Sequence, residues 1–91
     1  MIHSWELWIS GKVQGVWYRK FTEQKANELG ICGWVANEKD GRVLARIEHE
    51  NSEVLEMLLH ACTEGPPEAE VERIDVRHVP AEGFSGFHIK R

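Results

Sequence analysis

The sequence is short of most features that would mark a specialised class. It has two cysteines, Cys32 and Cys62, well separated and without a second cysteine or histidine at ligand spacing. That argues against a zinc site and leaves a reduced, buried pair as the expectation, with a single disulfide as the other reading. Five histidines, His3, His49, His60, His78 and His88, form no HxH or HxxxH cluster and read as surface or edge-strand residues. A basic surplus is missing too: 11 Lys and Arg against 15 Asp and Glu give a formal charge of −4, which argues against a nucleic-acid partner. No apolar run approaches the length of a membrane span. Met1 to Ser10 lacks the basic start and apolar centre of a secretion signal, so a cytoplasmic location with no membrane partner is expected. There is no internal linker, low-complexity tract or solenoid repeat.

What is present fits one ordinary globular domain spanning residues 1–91. The chain is 42% hydrophobic and 29% charged, enough to build a single core and too short for two. Trp5, Leu7 and Ile9 alternate with Glu6 and Trp8, the period of a strand with one buried face, and Trp8 on the other face points to a strand that is central or partly covered on both sides. A loop from Ser10 to Gly15 follows. Tyr18, Phe21, Thr22, Lys25, Ala26 and Leu29 then trace one face of a helix from Tyr18 to Leu29, ended by Gly30 in a left-handed conformation.

Ile31 to Asn37 reads as a second strand. Asp40-Gly41 is a strong hairpin signal, and it leads into a third strand over Arg42 to Glu48. There Val43, Ala45 and Ile47 face one side, and Arg42, Arg46 and Glu48 an exposed one. Asn51 or Ser52 caps a second helix whose stripe is Val54, Met57, Leu58, Ala61 and Cys62, widened by Leu55 and Leu59. Gly65-Pro66-Pro67 stops it. Val71 to Val79 is a strand with Ile74 and Val76 as core positions. Pro80 to Gly86 is a loop, and Phe87 with Ile89 marks a short last strand. The order β-α-β-β-α-β with a short extra strand predicts an α+β, ferredoxin-like sandwich, its antiparallel sheet carrying both helices on one face. That architecture hosts enzymes and binding modules alike.

The chemistry concentrates in Gly11-Lys12-Val13-Gln14-Gly15-Val16-Trp17-Tyr18-Arg19. A strand, a loop with two glycines and a helix N-terminus make an anion site, because backbone N–H groups converge there and the helix dipole adds partial positive charge. Arg19 supplies a full charge and a planar fork of donors suited to phosphate. Read alone, Gly11 and Gly15 are equally turn glycines and Arg19 a solvated helix residue. Asn37, at the mouth of the hairpin, is equally a turn residue. Taken with Arg19, its amide suits it to hold a water molecule in line for attack. Two such groups without an acid or base suffice only where the leaving group departs unaided, as the carboxylate of an acyl phosphate does. The protein then supplies positioning and charge neutralisation.

Two motifs carry a family resemblance. The run from Gly11 to Arg19 resembles the first acylphosphatase signature, G-x-V-Q-G-V-x-[FY]-R. Gly33-Trp34-Val35-Ala36-Asn37-Glu38-Lys39-Asp40-Gly41-Arg42-Val43 resembles the second. The resemblance covers nearly the whole chain. It implies the ferredoxin-like fold, hydrolysis of the carboxyl–phosphate bond, and neither cofactor nor metal. Arg19 would bind phosphate and Asn37 orient the nucleophilic water, as the two catalytic residues. Backbone N–H groups of Gln14, Gly15, Val16, Trp17, Tyr18 and Arg19 would form the phosphate cradle. It also suggests that the chain's terminal carboxylate sits near Arg19. The second signature usually closes with glycine where His49 stands, a departure expected to affect a local bend and not the chemistry.

A monomer acting on a small acyl phosphate is expected, with Trp17 the aromatic placed to touch the acyl part. Two other readings use the same fold: a non-catalytic phosphate-binding regulatory module, and the carbamoyl-phosphate-handling domain that begins larger hydrogenase-maturation proteins. An RNA-binding ferredoxin-like domain is disfavoured by the missing basic surplus and the lack of paired aromatics in a recognisable central-strand motif.

Overall fold

A computed structural model describes residues 1–91. The elements run β1 (His3–Lys12), α1 (Tyr18–Leu29), β2 (Cys32–Asn37), β3 (Val43–His49), α2 (Ser52–Glu64), β4 (Glu70–His78) and β5 (Phe87–Lys90). One sheet has the strand order β4-β1-β3-β2-β5. β1 pairs antiparallel with both β3 and β4, and β2 antiparallel with β3. The added strand β5 pairs parallel with β2, so the five-stranded sheet is mixed.

The core lies between one face of the sheet and the helices. Leu7 and Ile9 of β1, Val35 of β2, and Val43, Ala45 and Ile47 of β3 are fully buried there, against Tyr18 and Ala26 of α1 and Leu55, Leu58 and Cys62 of α2. Helix α1 has the predicted bounds and ends on Gly30 in the left-handed region, whose N–H bonds back to the carbonyls of Ala26 and Asn27. For α2, Asn51 is the cap, its side chain accepting the N–H of Glu53 at 2.9 Å. The histidines lie on the surface or half-buried, and both cysteines are free thiols. Burial pushes the Cys62 thiol up to about 11 against smaller opposing hydrogen bonds from Thr22 and Tyr18, which keeps it protonated and unreactive.

Several expectations need correction. The first strand does not end at Ile9 but runs to Lys12, because β4 continues the ladder past a bulge at Ser10/Gly11, pairing Gly11 with Val71 and Lys12 with Glu70. Gly11 permits this: its φ is +128°, and a Cβ there would lie 2.2 Å from the carbonyl oxygen of Glu70. In α2 the buried line is Leu55, Leu58 and Cys62, and Met57 is 56% exposed. Val76 is also exposed, since β4 is an edge strand.

Glu48 is not exposed but 3% accessible. The loop after β4 folds over that face. The Glu48 carboxylate accepts the Ser4 hydroxyl at 3.0 Å and the N–H groups of Glu82, Gly83 and Phe84 at 2.7, 3.0 and 3.2 Å. Arg46 adds bonds to Ser4 Oγ, to Glu82 Oε2 and to the Pro80 carbonyl. The loop so fastened hands the chain to β5, where the Gly86 carbonyl accepts the N–H of Gly33 at 2.8 Å.

Candidate active site

Between the end of β1 and the start of α1 the backbone makes a bend whose shape is set by two left-handed residues. Gly15 (φ 75°) adopts it freely, while Trp17 (φ 66°, ψ 20°) is the one non-glycine residue in the chain with positive φ. Trp17 stands at the N-cap of α1 with no side-chain cap, and its indole is 77% exposed. Burial of the neighbours fixes the bend: Val13, Val16 and Tyr18 all enter the core. Tyr18 is also tied by its hydroxyl, which donates to the Cys62 carbonyl of α2, and burial raises its pKa far above the ordinary phenol range.

This bend leaves an unusual number of donors unclaimed. The N–H groups of Gln14, Gly15, Val16 and Trp17 donate to no backbone carbonyl. The first bond of α1 runs from the Phe21 N–H to the Trp17 carbonyl at 3.0 Å. The N–H groups of the first helical turn are therefore free as well, with the positive end of the helix dipole behind them.

A cleft of about 410 Å³ opens over the bend. Val13, Gly15, Trp17, Tyr18, Arg19 and Lys20 line one side; Asn37, from the end of β2, and Ile89 and Arg91, from the end of β5, line the rest. The strand order explains the meeting: β2 lies two places from β1, and the parallel β5 runs alongside β2 towards the same end of the sheet. Neither the Arg19 guanidinium nor the Asn37 amide has a hydrogen-bond or ion-pair partner within the protein, whereas Glu6, Arg46, Arg73, Asp75 and Arg77 on the sheet are all ion-paired. The lining holds three cationic side chains, Arg19, Lys20 and Arg91, and no carboxylate or imidazole side chain.

Of the site residues expected from sequence, Gly15, Trp17, Tyr18, Arg19 and Asn37 reach this cleft. Val16 and Gln14 do not line it. Val16 is 5% exposed within the core. The Gln14 side chain crosses to the β2–β3 turn, donating from Nε2 to the carbonyls of Glu38 and Arg42 at 2.8 and 2.9 Å. Three lining residues, Val13, Lys20 and Ile89, were not assigned a place there by sequence reasoning. Lys20 follows Arg19 in the first helical turn and could have been found from that position. Ile89 arrives through the parallel pairing of β5, which no local pattern reveals, and the same strand brings in Arg91, the terminal residue that the resemblance places near Arg19. Arg91 shares the cleft with Arg19, but no ion pair joins Arg19 to the chain terminus. His49 sits at the far end of β3 from Asn37, opposite His3, and its ring nitrogen Nδ1 accepts the N–H of Asn51 at 2.9 Å. It shapes the turn into α2, away from the cleft.

A ferredoxin-like sandwich with unclaimed N–H groups, a free arginine and no acidic side chain in the lining defines a protein that handles a small anion. Comparison with known proteins narrows this. The acylphosphatase family model matches residues 5–89, and the chain belongs to the acylphosphatase family, enzymes of acyl phosphate hydrolysis. An acylphosphatase from Marinobacter nauticus is 50% identical over 87 residues, covering 94% of each chain. The crystal structure of acylphosphatase from Bacillus subtilis superposes with a TM-score of 0.93 at 30% identity, covering all of both chains. The same fold occurs within a longer protein: full-length HypF, in a phosphate- and nucleotide-bound form, matches with a TM-score of 0.91 at 28% identity over 12% of its own length.

Proposed function

We propose that the cleft holds the phosphoryl group of a small acyl phosphate between the Arg19 guanidinium and the free N–H groups of residues 14–19, and that Asn37 holds the attacking water. The water oxygen forms the new P–O bond in line with the bond that breaks. The acyl carboxylate leaves with that electron pair, and the water proton passes to a phosphate oxygen. No protein acid is needed because a carboxylate is a stable leaving group. Arg19 and the N–H groups neutralise charge on the phosphoryl oxygens, the N–H groups from a bend that burial of its neighbours has already shaped. The observation that carries this reading is that Arg19 and Asn37, from different elements, meet in one cleft with both polar heads unpartnered. A cleft completed within one chain supports action as a monomer. The net charge of −4 supports work without a nucleic-acid partner, and no helix is long and apolar enough to cross a membrane.

The test is hydrolysis of benzoyl phosphate by the wild type and two variants, with phosphate binding followed in parallel by thermal shift. Arg19→Ala should lose both turnover and the stabilisation by phosphate, which for a ligand at a hundred times its Kd is about 2.7 kcal/mol. Asn37→Ala should lose turnover by a factor of about a hundred or more while phosphate still stabilises. Full activity in Asn37→Ala would remove the water-holding role. Phosphate binding with no turnover by the wild type would make the protein a binding module.

A further inference from the structure

The Gln14 carboxamide spans two parts of the site that the fold does not otherwise join at this point. Its backbone belongs to the cradle, one residue before Gly15. Its Nε2 donates one hydrogen to the Glu38 carbonyl at 2.8 Å and the other to the Arg42 carbonyl at 2.9 Å. Those carbonyls flank the turn that begins immediately after Asn37, and the same turn is closed by the Glu38 N–H on the Arg42 carbonyl at 2.8 Å. Gln14 is half-buried, and both its N–H bonds are spent on backbone that cannot swing away. We infer that Gln14 is a positioning residue: its side chain fixes the distance between the phosphate cradle and the strand end that carries Asn37, and so holds the water-bearing amide in line with the bound phosphoryl group.

This rests on the assignment of Asn37 given above. A tether of this kind touches neither substrate nor water. Its loss leaves Arg19 and the N–H groups of the bend in place, so phosphate affinity stays while the in-line geometry slackens. A misplacement on the order of 1 Å can cost about a hundredfold in rate. Gln14→Ala should therefore lower kcat for benzoyl phosphate by about tenfold to a hundredfold, with inorganic phosphate inhibiting as strongly as in the wild type.

Two readouts separate positioning from a general structural role. The first is a double-mutant cycle: in an Asn37→Ala background, Gln14→Ala should cost no further kcat, because it acts through Asn37. The second uses Gln14→Glu, which keeps the shape but donates only when protonated. Its kcat relative to wild type should rise on acidification through the carboxyl range, while the ratio for Gln14→Ala stays flat. An equal loss of kcat from Gln14→Ala in both backgrounds, a loss of phosphate affinity in proportion to kcat, or a flat Gln14→Glu ratio would overturn the tether. Those outcomes leave the Asn37 assignment standing. Full activity in Asn37→Ala alone would overturn both.

Discussion

The Glu48 carboxylate offers the sharpest quantitative test of how the sheet holds the loop that leads to the cleft. Each of its oxygens accepts two hydrogen bonds: Oε2 from Ser4 Oγ and the Glu82 N–H, Oε1 from the Gly83 and Phe84 N–H groups. Glu48→Gln keeps the shape but replaces one acceptor oxygen with an NH2. In the better orientation the amide oxygen keeps Gly83 and Phe84, while the buried Ser4 hydroxyl loses its acceptor and the N–H of the exposed Glu82 is left facing another donor. One orphaned buried donor costs about 1–3 kcal/mol, and the remaining bonds lose the charge that strengthened them, for a total of roughly 3 kcal/mol. In a domain of this size that lowers Tm by roughly 10–20 °C.

The pH dependence supplies the discriminating measurement. Burial alone would push the Glu48 carboxyl up, but the N–H groups of Glu82, Phe84 and Gly83 and the Ser4 hydroxyl more than offset it, and the net shift is downward. A carboxyl held below its unfolded value contributes stability that is complete above that value, about 4.3 for glutamate. The contribution is lost as pH falls through the folded value. Urea unfolding of wild type and Glu48→Gln should therefore show the full gap at neutral pH and a shrinking gap below the unfolded value, since glutamine does not titrate. A gap that stays constant or widens in acid would refute the claim that this carboxylate is held ionised by the loop.

Two further perturbations follow from backbone geometry. Gly33→Ala should abolish folding or cost more than about 4 kcal/mol, because φ is +142° and the new Cβ would lie 1.8 Å from the Arg46 carbonyl oxygen across the β2–β3 ladder; Gly15→Ala, with φ +75° and open space around the Cβ, should cost only about 1–2 kcal/mol in the same urea titration. Trp17→Gly should relieve about 1 kcal/mol of left-handed strain with little packing lost, raising Tm while leaving phosphate binding in place; a fall in Tm would mean that the indole contributes contacts its exposure does not show.

Local rules made α1 legible from end to end. The helical period from Tyr18 to Leu29 and the glycine behind it need no knowledge of the rest of the fold, and the same is true of the Asp40-Gly41 turn. The misreadings all lie where a distant segment decides. β1 outran its alternating pattern because β4 pairs past the Gly11 bulge, and Glu48 is buried because residues 82–84 fold over it. In α2, apolar residues at 54, 55, 57, 58, 59, 61 and 62 cover so much of the circumference that periodicity cannot say which line faces the sheet. The site shows the same division. Arg19 and Asn37 could be read from residue type and motif, and the nearness of the chain terminus from the family resemblance, whereas Ile89 depends on the parallel β5. The Gln14 side chain depends on where the hairpin turn lies in space.

The strained and unsatisfied features of this chain gather at one place. Trp17 is the single left-handed non-glycine residue; the N–H groups around it lack acceptors; Arg19 and Asn37 lack partners, and the cleft collects three cationic side chains without a carboxylate side chain among them. Elsewhere the chain is locally consistent, and no buried side-chain polar atom is left without a hydrogen bond. Left empty, such a cluster lowers stability through backbone strain and unused donors. A tetrahedral anion relieves several of these at once, since it accepts from many N–H groups and neutralises the guanidinium in the same contact. A bound carboxylate presents fewer acceptor oxygens and half the charge of a phosphate dianion, so after bond cleavage the acyl product has less to hold it than the phosphate has. On the proposed assignment of the site, an order of product release follows from that asymmetry: the carboxylate should leave first, and phosphate should be the product that inhibits.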